Sequence, residues 1–424
     1  MNPTILLATT SRWYPTARLG MALANAGCTV EVVCPAGHPI GKTKCVRRMH
    51  VYRGLAPLVS FARAISISKA DFIVSGDDLA TRHLHLLYVQ EKSKGNPDST
   101  ICALIEHSLG SSETFPVVSA RAAFMDVADK EGIRVPATQV IRNTDDLRAW
   151  VERTGLPTVL KADGTSGGDG VRIARTLTEA ERCFRELQSP PLLARAVKRA
   201  VLDHDKTMLG PSILRRRPMV NAQAFVAGRE ATSTIMCWKG TVLASLHFEV
   251  VNKTTAAGHA TVVRLIESAE MSTAVERVVQ RLGLSGFYGF DFMLEASSGH
   301  AYLIEVNPRS TQVGHLSMGA GHDLPGALYA ALSGKSVQPS QKVTEKDTVA
   351  LFPQEWIRDP ESQYLRSAYH DVPWDEPELI SDCASNRRKQ SAWYSRSNQN
   401  PAAAPVQSGK PVSAPVGSPA SGLD

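Results

Sequence analysis

The chain lacks most of the short signatures that announce an activity. Its 424 residues contain no GxGxxG, no complete GxxxxGK[ST] phosphate loop and no HExxH. These absences remove the dinucleotide fingerprint, the P-loop and the metalloprotease helix. No CxxC pair occurs among the seven cysteines, so structural zinc is not expected. No apolar run is long enough to span a bilayer, and the apolar part of Met1–Leu7 is too short for a signal peptide. An odd cysteine count without a secretory signal predicts free thiols in a reducing compartment, hence a cytoplasmic protein with no membrane partner. Charge is modest too. The net +6 comes partly from Arg215-Arg216-Arg217 and Arg387-Arg388-Lys389, and no nucleic-acid motif accompanies these clusters. No nucleic-acid partner is expected.

What remains is an ordinary globular composition, 43% hydrophobic and 21% charged, in a chain long enough for two or three domains. The pattern suggests six stretches. Residues 1–114 alternate strand and helix, starting with the apolar run Thr4–Ala8, the helical Thr16–Ala26 and the strand Thr29–Val33, as an open parallel α/β unit does. Residues 115–190 read as a small subdomain, with helices over Ser119–Lys130 and Thr144–Arg153 and strands over Thr158–Ala162 and Val171–Ala174. A capping box is expected at Thr178–Glu181. Residues 191–218 are basic and irregular, an insertion or mobile loop. Residues 219–340 hold strands over Val220–Val226, Thr232–Trp238 and Thr241–Val250, then a helix over Ser272–Leu282. Residues 341–394 are weakly patterned and take no assigned role. Residues 395–424, rich in Pro, Ala, Ser and Gly, bury too little apolar surface to order and read as a disordered tail.

The richest stretch is FYGFDFMLEASSGHAYLIEVNPR, Phe287–Arg309. Two alternating runs flank a polar turn, which predicts a hairpin. A three-residue loop Ser297-Ser298-Gly299 would pair Ala296 with His300 and therefore Asp291 with Glu305. Alternation puts Phe290, Phe292, Leu294, Tyr302, Ile304 and Val306 on an apolar face. Asp291, Glu305 and Asn307 share the other. Directly opposed side chains sit about 4.5–5.5 Å apart at Cβ, and like charges there are unfavourable. Two carboxylates and an amide oxygen are hard ligands suited to magnesium held jointly with phosphates. The competing account is a solvated outer face of an ordinary hairpin.

Upstream, Lys161 ends a strand and Gly164-Thr165-Ser166-Gly167-Gly168-Asp169-Gly170 follows it. Four glycines in seven residues let backbone amides approach an anion, and the lysine supplies a point charge. Alone, this is equally a flexible turn beside an incidental lysine.

Taken in order, the lysine strand, the glycine loop, the segment Gln223-Ala224-Phe225-Val226-Ala227-Gly228-Arg229-Glu230, and the DF…EVNPR hairpin resemble the ATP-grasp superfamily. The similarity runs over about Ile5–Gly334 and is strongest over Gly286–Leu324. It is greatest toward the branch holding carbamoyl phosphate synthetase, biotin carboxylase and amino-acid ligases. The fold this implies is α/β, α+β in the ATP-binding part, with an N-terminal pre-ATP-grasp domain. Cofactors implied are ATP and Mg2+ or Mn2+. The resemblance implies roles residue by residue. Arg121 and Lys161 would bind phosphates, and the loop bearing Gly167, Gly168 and Gly170 would close over them. Ala224, Phe225 and Val226 would read adenine through their backbone, and Glu230 would hold ribose. Asp291, Glu305 and Asn307 would hold the metal. Arg309, with Lys161, would act on the transferred phosphoryl group or the acyl intermediate. Lys253 and Arg264 are the weaker substrate candidates. One departure is Gln223, where relatives often begin the hinge with Glu; a side-chain role there is expected to be weakened.

The activity implied is ATP-dependent joining of a carboxylate to an amine or thiol through an acyl phosphate. Partners would be small-molecule carboxylates and amines, with a homodimer as an open assembly state. Two other readings stand beside it. One is a bicarbonate-using enzyme of the carboxylase type. The other is a nucleotide-binding regulatory protein without turnover, which the intact Asp291/Glu305/Asn307 set disfavours.

Overall fold

A computed structural model describes residues 2–95, 99–164, 170–189, 218–256, 258–335 and 341–385. The tail 395–424, the basic stretch up to residue 217, Gly167 and Gly168 lie outside the described residues.

Three sheets organise the chain. The first is parallel, with strands β1 (Thr4–Ala8), β2 (Thr29–Cys34), β3 (Val46–Val51) and β4 (Phe72–Ser75) in the order β3-β2-β1-β4. Strands buried on both faces need continuous apolar runs, and ILLA and FIV supply them. Leu6, Ala8, Val33 and Ile73 pack under the helices Pro57–Ser68, Asp78–Ser93 and Thr100–Leu109. Ile5, Leu7, Val30 and Val32 face the helix Tyr14–Asn25 and the body of the molecule.

The second sheet is small and antiparallel. It contains β5 (Thr138–Ile141), β6 (Thr158–Ala162), β7 (Val171–Ala174) and β8 (Val220–Ala224), ordered β5-β8-β6-β7. The helices Thr144–Thr154 and Leu177–Gln188 cover one face, centred on Trp150, Phe184 and Leu160. The capping box sits two residues earlier than expected: Thr176 accepts from the Glu179 N–H, and Glu179 accepts from the Arg175 N–H.

The third sheet joins β9 (Gly228–Trp238), β10 (Thr241–Lys253), β11 (Ala260–Leu265), β12 (Gly286–Glu295), β13 (Ala301–Asn307), β14 (Thr348–Ala350) and β15 (Tyr369–His370). Their order is β13-β12-β9-β10-β11-β14-β15. The helix Ala269–Leu282 buries Met271, Val275, Val278 and Leu282 against it, as its 3.6-residue periodicity requires.

The structure redraws three of the expected boundaries. The helix Arg121–Lys130 packs Phe124 and Met125 on the third sheet rather than on the small one. β8, placed with residues 219–340 by the sequence, completes the small sheet. Residues 341–385 have a clear role: β14 and β15 extend the third sheet, and Val349, Leu351 and Leu379 enter its core. Asp371 of that segment is buried between Arg18 and His315, with His315 Nε2 at 2.6 Å. Tyr14 Oη donates to Asp382 Oδ2 at 2.8 Å. The C-terminal segment thus clasps the N-terminal helix to the body.

Candidate active site

The hairpin forms with Asp291 opposite Glu305, but by a different route from the one expected. The turn holds four residues, not three. Glu295 N–H donates to His300 O at 2.9 Å, and Gly299, at φ +75°, donates to Glu295 O at 2.8 Å. Pairs from the turn run Leu294–Ala301, Met293–Tyr302, Phe292–Leu303, and then the register slips by one to Asp291–Glu305. A β-bulge at Ile304 absorbs the extra residue. It also overturns part of the expected apolar face. Leu303 joins Phe290 and Phe292 in the core, while Ile304 lines the cleft. Tyr302 is only partly buried and meets the Arg134 guanidinium 5.6 Å from its ring centroid.

A cleft of about 320 Å³ opens between the small sheet and the third sheet. Asp291, Glu305, Asn307, Arg309, Lys161, Arg121, Glu230 and Lys253 all line it, as do Ala224, Phe225 and Val226. The sequence-predicted constellation therefore converges on one place. Two predicted residues stand apart. Gly170 closes the base of the glycine loop, its carbonyl accepting from the Ala162 N–H at 2.9 Å. Arg264 is exposed and is not among the residues lining the cleft, whereas its neighbour Val263 is. Strand alternation on β11 sends the two to opposite faces.

The charges are unevenly matched. Arg121 donates to Glu305 Oε1 at 2.6 Å and to Ala162 O at 2.7 Å, and lies 3.6 Å from Asp163. Burial raises the Glu305 pKa, but Arg121 and Lys161 outweigh it and hold the carboxyl below its usual range. Asp291 has no such cation at contact distance. It accepts from Asn307 Nδ2 at 2.8 Å and from Thr232. Burial, then the facing Glu305, push its pKa up to about 6. Burial pulls the Lys161 ammonium below the ordinary lysine range, against the opposing pull of Glu305. Lys161 Nζ donates to the bulged Ile304 carbonyl at 3.1 Å.

The hinge follows β8 directly. Ala224 N–H is used by Ala137 O at 2.9 Å, whereas the Val226 N–H has no backbone partner among the described residues. Gly228 then opens β9 against β12. A Cβ there would lie 2.0 Å from Leu294 O, so glycine lets the hinge turn straight into the sheet. Glu230 pairs with Lys253 at 2.6 Å, which puts both on one wall of the cleft and not at separate subsites.

The N-terminal domain supplies residues that sequence reasoning missed. Trp13, ahead of the first helix, lines the cleft and packs under the Arg309 guanidinium, 5.6 Å from its ring centroid. Arg309 Nε donates to Asp78 Oδ2 at 3.1 Å, and Nη2 to Asn307 Oδ1 at 3.2 Å. Asp77 caps the helix Asp78–Ser93 through the Ala80 N–H and also accepts from Thr9, Thr10 and Ser11. It thereby fixes the loop that carries Trp13. The signal was present as Asp77-Asp78 after a buried strand, an N-cap at the carboxyl end of a parallel sheet. Ser310 N–H docks on Ser75 O at 2.9 Å, so the end of β4 positions the segment after β13.

Comparison with known proteins agrees with this geometry. A family model described as an ATP-grasp domain matches residues 124–313. Phosphoribosylamine–glycine ligase of Ralstonia nicotianae is 30% identical over 115 residues, 27% of this chain and 22% of that protein. The carbamoyl phosphate synthase large chain of Rubrobacter xylanophilus is 24% identical over 191 residues, 45% of this chain and 17% of that one. The chain thus spans about a fifth of the length of these curated relatives. Among solved structures, the biotin carboxylase domain dimer of Hydrogenobacter thermophilus 2-oxoglutarate carboxylase, in complex with MgADP, ADP and bicarbonate, superposes with a TM-score of 0.55. It is 16% identical, over 80% of this chain and 72% of that one. The N5-carboxyaminoimidazole synthetase of Staphylococcus aureus, complexed with ADP, gives a TM-score of 0.54 at 15% identity, over 79% and 78%. Among the described residues, no helix is long and apolar enough to cross a membrane.

Proposed function

We propose that this chain, whose residues 124–313 match a model of the ATP-grasp domain, is an ATP-dependent ligase that activates a small-molecule carboxylate as an acyl phosphate and joins it to an amine. The observation that carries the reading is the facing pair Asp291 and Glu305, set with Asn307 in the same cleft as Lys161, Arg121 and Arg309.

Among the described residues no three His, Cys, Asp or Glu side chains form a metal cluster. Magnesium, however, is usually held by one or two carboxylates plus substrate phosphates. Asp291, with its pKa raised beside Glu305, is the kind of group such an ion relieves. Asp291, Glu305 and Asn307 would hold it, and it would supply charge neutralisation for the nucleotide's phosphates.

The chain's own residues do the rest. The hinge 224–226 seats the base, and the free Val226 N–H offers it a donor. Glu230 receives the ribose hydroxyls. Lys161 and Arg121 bind phosphate oxygens. Arg309, held by Asp78 and Trp13, places a cation where the γ-phosphoryl group meets the acceptor. A carboxylate oxygen attacks the γ-phosphorus, the bond to ADP breaks, and ADP leaves. The amine then attacks the acyl carbon, loses a proton, and inorganic phosphate departs. Phosphoryl transfer depends on positioning and charge stabilisation, which fits a site without a protein nucleophile.

The test is an ADP-release screen against pooled amino acids and small acids, with mass spectrometry of the products. Acceptor-stimulated release with a condensed product supports the ligase reading. Release stimulated by bicarbonate alone replaces it with a carboxylase-type reaction. Nucleotide binding without stimulated release by any pool removes the ligase assignment. Self-association of the chain is read in parallel by light scattering.

A further inference from the structure

The parallel sheet has the strand order β3-β2-β1-β4, so the chain leaves β1 toward β2 and reaches β4 on the other side of it. In an open α/β sheet such a reversal opens a crevice at the carboxyl ends of the two strands, and ligands are received there. Here Thr9, Thr10 and Ser11 after β1 and Gly76 and Asp77 after β4 frame it. It adjoins the end of the cleft where Arg309 stands: Asp78 Oδ2 accepts from Arg309 Nε at 3.1 Å, and Trp13 lines the cleft. Main-chain N–H groups, hydroxyls and a helix start are what such a crevice offers an anion, a phosphate above all.

One side chain of the protein engages those donors. Asp77 Oδ2 accepts from Thr9 Oγ1 at 2.7 Å, from the Thr10 N–H at 2.6 Å and from the Ser11 N–H at 3.3 Å. Oδ1 accepts from Thr10 Oγ1 at 2.8 Å and from the Ala80 N–H, in the first turn of the helix Asp78–Ser93, at 2.8 Å. An ionised carboxylate has about four lone-pair sites, so these bonds fill it. The other helix that starts here, Tyr14–Asn25, has Pro15 without an N–H in its first turn, and the Thr16 N–H donates to Trp13 O at 3.2 Å. The loop's one cation, Arg12, donates to Ala36 O and lies over Gly37. The walls stand close: a Cβ on Gly76 would lie 3.3 Å from both Thr9 and Thr16.

We propose that the acceptor taken at this end of the cleft carries no phosphate, because Asp77 stands where that phosphate would be held. The inference rests on reading the cleft as a ligase site, and deepens that reading by narrowing the acceptor to an unphosphorylated small molecule. Charge works in the same direction. Asp77 and Asp78 bring two carboxylates to this end, and Arg309 answers that of Asp78. A phosphate entering here would meet the carboxylate of Asp77 with its donors spent, and like charges at close range repel.

The experiment has two arms, both on the full chain. The first compares acceptors that differ only by a phosphate, serine with phosphoserine and ethanolamine with its phosphate ester, through the ADP each releases. The unphosphorylated member is expected to be used at least about tenfold better. The second measures melting temperature in inorganic phosphate and in chloride at equal ionic strength. Asp77→Ser keeps a cap for the helix but withdraws the carboxylate, which frees the Thr10 donors. Phosphate should then raise the melting temperature of this variant by about 2–4 °C more than that of wild type. An equal phosphate effect on the two proteins overturns the inference, as does a wild type that uses the phosphorylated member of a pair as well as its counterpart. The acceptor pairs need no variant, so a poorly folding Asp77→Ser protein leaves the first arm in force. If no acceptor stimulates ADP release, the ligase reading falls, and the phosphate measurement decides on its own whether Asp77 fills the crevice.

Discussion

Two aspartates of this molecule, one buried and one partly buried at the cleft, keep opposite company. Asp371 is 2% exposed and pressed between Arg18 and His315. Burial alone would raise its pKa, but His315 and Arg18 more than compensate and hold it below the usual carboxylate range. Asp291 faces another carboxylate, and its pKa is pushed up to about 6. The same side chain is satisfied in one place and left in want of a cation in the other. A buried charge that the protein completes itself fastens the fold, whereas one it leaves incomplete marks where a ligand's charge belongs.

The largest expected effect separates the two sites by activity. Asp291→Asn with Glu305→Gln should reduce magnesium-dependent ADP release by at least about a thousandfold, since an electrostatic clamp on the phosphates is lost. The double change removes a like-charge contact but also the carboxylate paired with Arg121, so the melting temperature should fall modestly and not rise. Retained turnover would break the comparison. Asp371→Asn should do the reverse. It strands Arg18 and His315 without their partner and should cost about 3–5 kcal/mol of stability in denaturant titrations. Nucleotide affinity of the protein that remains folded should stay within about twofold, a change too small to involve the cleft.

A third effect is smaller and concerns pH. In the folded protein Asp291 keeps its proton up to about pH 6, while in the unfolded chain it releases it near the ordinary aspartate value of 3.8. The folded state then binds more protons between these limits, so stability falls as pH rises through them, by on the order of 3 kcal/mol. Above pH 6 the penalty is fully present. Asp371 has the opposite sign: its folded pKa is depressed, so its contribution is present above the unfolded value and is lost as pH falls through the folded one. Asp291→Asn should flatten the slope between about pH 4 and pH 6 and leave the acid limb below it. Magnesium with nucleotide should flatten the same slope in wild type. The smallest effect is expected at Arg264. Because it is exposed and outside the cleft, Arg264→Ala should change ADP release less than twofold and stability by less than about 0.5 kcal/mol. A loss comparable to that at Asp291 would return it to the site.

The sequence made the site more legible than the frame around it. Asp291 opposite Glu305, Asn307 beside them, and Lys161 across the cleft could all be read from alternation and from one glycine loop. The bulge could not. One extra residue in β13 and one extra in the turn cancel at Glu305, so the pairing was right although the turn and the position of Tyr302 were not. Trp13 and Asp78 were missed because their link to Arg309 spans more than 200 residues and follows no period. β14 and β15, with three and two residues, are too short to show alternation; β14 adds to the edge of β11, and β15 to β14. Gln223 was discounted as a weakened position; its amide meets Thr138 and the Ile304 carbonyl, which no local pattern brings together.

The clasp of the C-terminal segment carries a lesson for anyone dissecting this chain. The family match covers 124–313, a portion that omits Arg121, Trp13 and Asp78 and ends before β14. Trimmed to those limits, Arg309 would lose its anchor, and β11 would offer the bare main chain of Val262 and Val263 to any passing strand. The matched module is therefore narrower than the packed unit around it, and an expression boundary borrowed from homology would deliver a sticky fragment.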